Sequence, residues 1–119
     1  MEAQDILEAN TLIAIFDGYK FYCNDSVNGS NGVYRKKNKI GMLKTDFKYD
    51  TSWSWLIPVL EKIELLGYSV NISINHSCEI WKPNYEPNIS FRYLGQNTKI
   101  CVYKSIIDFI KWYNTTLNK

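Results

Sequence analysis

Residues 51–75 read TSWSWLIPVLEKIELLGYSVNISIN, and two periodicities meet within them. Leu56, Val59, Leu60, Ile63 and Leu66 recur at three- and four-residue steps, which predicts a helix with one apolar stripe. Asp50, Thr51 and Ser52 are all good caps for its start. Pro58 has no N–H, so it belongs in the first turns or bends the helix. Gly67 ends the pattern. Beyond it the period drops to two: Val70, Ile72 and Ile74 alternate with Ser69, Asn71, Ser73 and Asn75. β-Branched residues on one face predict a half-buried strand.

Working outward, Asn75-His76-Ser77 reads as a tight turn, and residues 78–82 and 88–94 as two further strands. Cys78, Ile80, Ile89, Phe91 and Tyr93 are their inward sets. Pro83 and Pro87 bracket a loop, since neither can sit in central pairing. Asn97-Thr98 caps a last helix whose buried side is Val102, Ile106, Phe109, Ile110 and Tyr113, widened by Ile107 and Trp112. Three strands on such short connections form an antiparallel meander. Upstream, Ile6, Ala9, Leu12, Ile13 and Phe16 predict a helix over 5–16, with Gly18 as terminator. Asn10-Thr11 could instead cap a shorter one. Residues 19–23 and 32–35 read as short strands around a tip rich in Asn and Gly, and a loop or irregular edge strand follows to Lys48.

The expected fold is α+β: one small domain over residues 1–119, an antiparallel β-meander with an N-terminal, a central and a C-terminal helix packed on it. No linker or repeat is expected. Val70, Ile72, Ile74, Ile80, Phe91, Leu60, Ile63, Ile106 and Ile110 should share one core.

Composition excludes several classes. With 45% hydrophobic and 22% charged residues the 119-residue chain is globular rather than disordered. No apolar run approaches the roughly 20 residues a membrane helix needs. The first eighteen residues carry Glu2, Asp5, Glu8 and Asp17 and no Lys or Arg, the reverse of a signal peptide, so a cytoplasmic protein is expected. Cys23, Cys78 and Cys101 are too few and too scattered for a disulfide framework. His76, Cys78 and Glu79 read as turn and strand residues rather than metal ligands. No phosphate loop, nucleophile elbow or Cys-x-x-Cys occurs, so neither catalysis nor a cofactor is expected.

Charge is the most informative feature. Arg35, Lys36, Lys37, Lys39, Lys44 and Lys48 face Asp46 alone within residues 35–49, while the whole chain carries a formal net charge of only +2. Tyr34, Phe47 and Tyr49 lie beside these cations. Such a segment can neutralise phosphates and stack on bases, dock on an acidic protein surface, or serve as a solvated loop. Trp53 and Trp55, two apart on a helix, point in different directions, so one is half exposed. Exposed Trp is enriched at binding hot spots. The candidate partner-binding residues are therefore Tyr34, Arg35, Lys36, Lys37, Lys39, Lys44, Lys48 and Trp53.

Residues 47–68, FKYDTSWSWLIPVLEKIELLGY, and residues 108–114, DFIKWYN, together resemble segments of small phage and prophage proteins of Bacteroidota. Ser54 stands where that pattern has Asp. The family supplies no reaction to carry over. The resemblance implies a phage or prophage context, in which proteins of this size include anti-CRISPR inhibitors, one class of them directed at a type VI-B RNA-guided RNase. It therefore implies a non-enzymatic inhibitor that binds a bacterial defence effector, its guide RNA, or both. The alternative is a nucleic-acid-binding accessory protein of a mobile element.

Overall fold

In a computed structural model, residues 2–22, 33–36, 42–73, 76–82, 90–95 and 97–116 are described. The chain divides into two compact units, Met1–Lys48 and Tyr49–Lys119. The architecture is α+β.

The first unit begins with α1 (Ala3–Phe16), which buries Ala9, Asn10, Ile13, Ala14 and Phe16. Asn10 does not cap a shorter helix. It sits inside α1, where its Nδ2 donates to the Phe47 carbonyl at 3.2 Å, and Thr11 Oγ1 bonds back to the Leu7 carbonyl. Three short strands follow: β1 (Lys20–Tyr22), β2 (Val33–Arg35) and β3 (Met42–Leu43), paired antiparallel in that order. The predicted hairpin is present, with Phe21 opposite Tyr34. The basic segment contributes a third strand and then a 3₁₀ turn, Lys44–Asp46, closed by Leu43 N–H donating to Asp46 Oδ2 at 2.9 Å.

The second unit holds α2 (Trp53–Leu65), then β4 (Ser69–Ser73), β5 (Ser77–Trp81) and β6 (Ser90–Leu94), then α3 (Thr98–Thr116). The strands form the expected meander, in the order β4-β5-β6. Register places Val70 opposite Ile80 and Ile80 opposite Phe91. Both α2 and α3 pack on this sheet. Leu56, Val59, Leu60 and Ile63 are the buried stripe of α2, and Pro58 lies in its second turn on the exposed side. Cys101, Val102, Ile106, Phe109 and Ile110 are buried on α3. Asn97 caps α3, its Oδ1 accepting from Ile100 N–H and its carbonyl from Cys101 N–H. Phe109 is the hub of the core. Its ring meets Tyr68 edge-on at 4.8 Å, and Phe91, Trp112 and Tyr113 lie within 6.1 Å.

The two units share one helix-to-sheet corner. Each runs helix, glycine, tyrosine and three-stranded antiparallel meander. After α1, Tyr19 N–H donates to the Ala14 carbonyl and Gly18 N–H to Ile15. After α2, Tyr68 N–H donates to Ile63 and Gly67 N–H to Glu64. Both pairs are Schellman closures, and both glycines have positive φ, +112° at Gly18 and +101° at Gly67. Both tyrosines are buried. A lysine after the second strand lies over each ring: Lys36 over Tyr19 at 5.6 Å, Lys82 over Tyr68 at 5.1 Å.

The expected core needs one further correction. Ile80, Ile63, Ile106 and Ile110 are fully buried, Leu60 nearly so, and Val70 and Phe91 are half-buried, but Ile72 is 40% exposed. Its parity is right, since it faces the same way as Val70 and opposite Cys78. It lies near the turn end of β4, an outer strand of the sheet. Ile74 and Ile89 lie outside the described residues. Ile80→Ala should therefore cost about 2–5 kcal/mol by urea denaturation, the range for a filled core site, whereas Ile72→Ala should cost less than half as much. Equal losses would mean that this ladder faces the core differently.

Candidate functional site

The candidate residues fall in both units, and each unit can be built up separately. In the first, the Tyr34 ring is not a free stacking platform. It is buried, meeting Phe47 edge-on at 5.4 Å and Phe21 at 5.1 Å, and Phe47 also meets Tyr19 at 5.2 Å. The ring sequence Tyr19–Phe47–Tyr34–Phe21 is the interior of this unit, and only Phe21 at its end is exposed. The sequence offers Tyr34 and Phe47 as base-stacking groups, but a 48-residue unit needs their apolar area for its own core.

The cations are divided in the same way. Lys36 bridges Asp17 at 3.2 Å while lying over the Tyr19 ring, so it fastens the strand after β2 to the end of α1. Its charge is partly used within the fold. Lys48 is exposed. The backbone of Arg35 lies in β2 and that of Lys44 in the 3₁₀ turn, whereas Lys37 and Lys39 lie outside the described residues.

In the second unit the Trp pair is resolved. Tyr49 is fully buried and meets Trp55 edge-on at 5.2 Å, so Trp55 seals the start of α2. Trp53 points elsewhere and is 37% exposed. It does not stand alone. Ile57 is 44% exposed and Leu65 87%, and Pro58, Glu61 and Glu64 are exposed with them. These positions complement the buried 56/59/60/63 stripe, so one side of α2 faces the core and the other presents an apolar, acidic-flanked surface. Ile57 and Leu65 were missed from sequence. The signal was present, since both are large apolar residues off the buried stripe.

The remaining reactive groups that are described are held within the fold of the second unit. Cys78 and Cys101 are buried free thiols, and Cys101 Sγ donates to the His76 carbonyl. His76 holds the β4–β5 turn with φ 64°, and its Nδ1 lies 2.7 Å from Thr98 Oγ1. Tyr93 donates to Asp108 Oδ2 at 2.5 Å, and that bond, with burial, pushes its phenol up. Among the described residues no cluster of three His, Cys, Asp or Glu could hold a metal ion. Nor is any described helix long and apolar enough to cross a membrane. No protein-family model, curated protein or solved structure matches the chain.

Burial pushes the Cys78 thiol up to about 11. The native chain then keeps a proton that the unfolded chain gives up once the pH passes about 8.5, the usual free thiol value. A raised native value gives stability that is full below that pH and lost as pH rises through about 11. Urea midpoints should fall between pH 8.5 and 11, and Cys78→Ala should flatten that fall. An identical pH slope in the variant would show that Cys78 is not the group responsible.

Proposed function

We propose that this protein is a non-enzymatic inhibitor, of phage or prophage origin, that binds a bacterial defence nuclease. Its target class is a type VI-B RNA-guided RNase. The observation that carries the protein-binding part is the outer side of α2, where Trp53 and Ile57 stand exposed beside Glu61 and Glu64. A Trp held by a rigid helix beside an aliphatic neighbour and an acidic rim has the composition of a binding hot spot. This helix is also the longer of the two segments that carry the resemblance to phage proteins. Its acidic flank suits a basic, apolar surface, which an RNA-guided nuclease offers around its guide channel.

The basic segment takes a second place in this reading. With Tyr34 and Phe47 buried and Lys36 paired to Asp17, it lacks the exposed rings that single-stranded RNA binding uses. Lys48, which is exposed, can steer association or touch phosphate.

Purified chain should suppress target cleavage by a type VI-B effector loaded with guide RNA and should co-elute with the effector after RNase treatment. Trp53→Ala with Ile57→Ala should weaken inhibition at least tenfold while the variant still unfolds cooperatively in urea, because both side chains are partly exposed. Changing Lys36, Lys37 and Lys39 to Gln should slow association and reduce its salt dependence while leaving dissociation nearly unchanged. Loss of the complex on RNase treatment, together with full inhibition by the α2 variant, would favour the nucleic-acid-binding alternative.

A further inference from the structure

The open edge of the second sheet carries an inference independent of α2. β6 pairs with β5 on one side, and no described strand pairs with the other. Register and one hydrogen bond settle which backbone groups it leaves free. The β5–β6 register sets Ser77 opposite Leu94, so Gly95 falls opposite His76, and Gly95 N–H donates to the His76 carbonyl at 3.1 Å. Hydrogen-bonded pairs alternate along an antiparallel ladder. Tyr93 and Phe91 therefore bond inward to Cys78 and Ile80, and the N–H and C=O groups of Ser90, Arg92 and Leu94 point away from the sheet. Residues 90, 92 and 94 are all exposed.

A pocket lies against the end of this edge. It has a volume of about 370 Å³ and is lined by Tyr93, Leu94, Asn97, Ile100, Cys101 and Lys104, with Gly95 at its lip. A Cβ at Gly95 would sit 3.3 Å from Cys101 Sγ, so glycine keeps the strand end close to α3. Leu94 and Ile100 are large apolar side chains that folding leaves exposed on the pocket's rim. Lys104 has no ion-pair partner among the described residues.

We propose that β6 is a docking edge for an extended, acidic segment of a partner protein, which adds as a fourth strand and seats an apolar side chain in the Tyr93–Ile100–Lys104 pocket. Backbone pairing would satisfy the outward groups of Ser90, Arg92 and Leu94, and alternate side chains would meet the α3 side of the sheet. Charge selects the occupant. Arg92 stands exposed on one face of the edge, where the Glu79 opposite it is engaged by Ser90 Oγ, and half-buried Lys104 lines the pocket on the other, where Asp108 is engaged by Tyr93, so the cation of each face favours a carboxylate on the incoming strand. Charge also disfavours a second copy of this chain. Two β6 edges paired symmetrically about Arg92 would set like charges side by side.

The probe is a displayed library of random twelve-residue peptides panned against the full chain. Enriched clones should alternate apolar and acidic residues, and their binding should slow amide exchange at Arg92 and Leu94 at least tenfold. Ile100→Glu should weaken binding at least tenfold. Arg92→Pro should do the same while leaving the fold intact, because that N–H is outside the β5 ladder. Ile100→Glu carries the test alone if the proline variant unfolds. The proposal is overturned if no clone enriches, if enriched clones bind Ile100→Glu as well as the parent, or if they are basic. Concentration-dependent dimerisation that protects the same amides would also overturn it, by assigning the edge to a second copy.

Discussion

The left-handed turn at Gly67 is the constraint on which the larger unit depends. Its φ of +101° lets Tyr68 N–H reach back to the Ile63 carbonyl, which closes α2 and sends the chain directly into β4. The same turn buries Tyr68 against Phe109, the hub of the aromatic core. An L-residue at this point would resist the positive φ, and the helix stripe and the sheet's inner face would lose their common orientation. Gly18 performs the same operation after α1, delivering Tyr19 onto Phe47. In both units a lysine from the far end of the hairpin covers the buried tyrosine, so the corner is closed from the strand side as well.

This economy of parts explains which residues remain for binding. In the smaller unit the aromatics are consumed by packing, and Lys36 is held by Asp17. In the larger unit α3 is buried over most of its circumference for more than two turns, whereas α2 buries one stripe. Exposed apolar groups therefore collect on the outer side of α2, around Trp53 and Ile57, and at the β6–α3 junction, around Leu94 and Ile100. Cys78 and Cys101 are buried, and His76 is part of a turn that anchors α3.

Much of the larger unit was legible in its sequence, because its periodicities are long and uninterrupted. The shift from period 3.6 to period two across Gly67 located α2, β4 and the turn between them. Parity identified the inner face but not its depth, which is how Ile72 came to be placed in the core. A strand's outer end can leave a β-branched residue in solvent, and nothing within five residues reveals where the cover stops. β3 was unreadable because two residues carry no period. The corner shared by the two units leaves little trace in sequence, because only Gly-Tyr and the covering lysine are common to both. Of the candidate site, the exposed Trp could be anticipated from two tryptophans two apart. Which one, and its pairing with Ile57, required Tyr49 to be seen beneath Trp55.

The most direct measurement of the central claim is the stability of Gly67→Ala by urea denaturation. The added Cβ would meet nothing closer than Lys82 Nζ at 4.0 Å, so any cost is conformational rather than steric. The account predicts a loss of about 1 kcal/mol or more with an unchanged m-value. A variant as stable as the parent, or more stable, would contradict it, because the corner would then not depend on a left-handed residue.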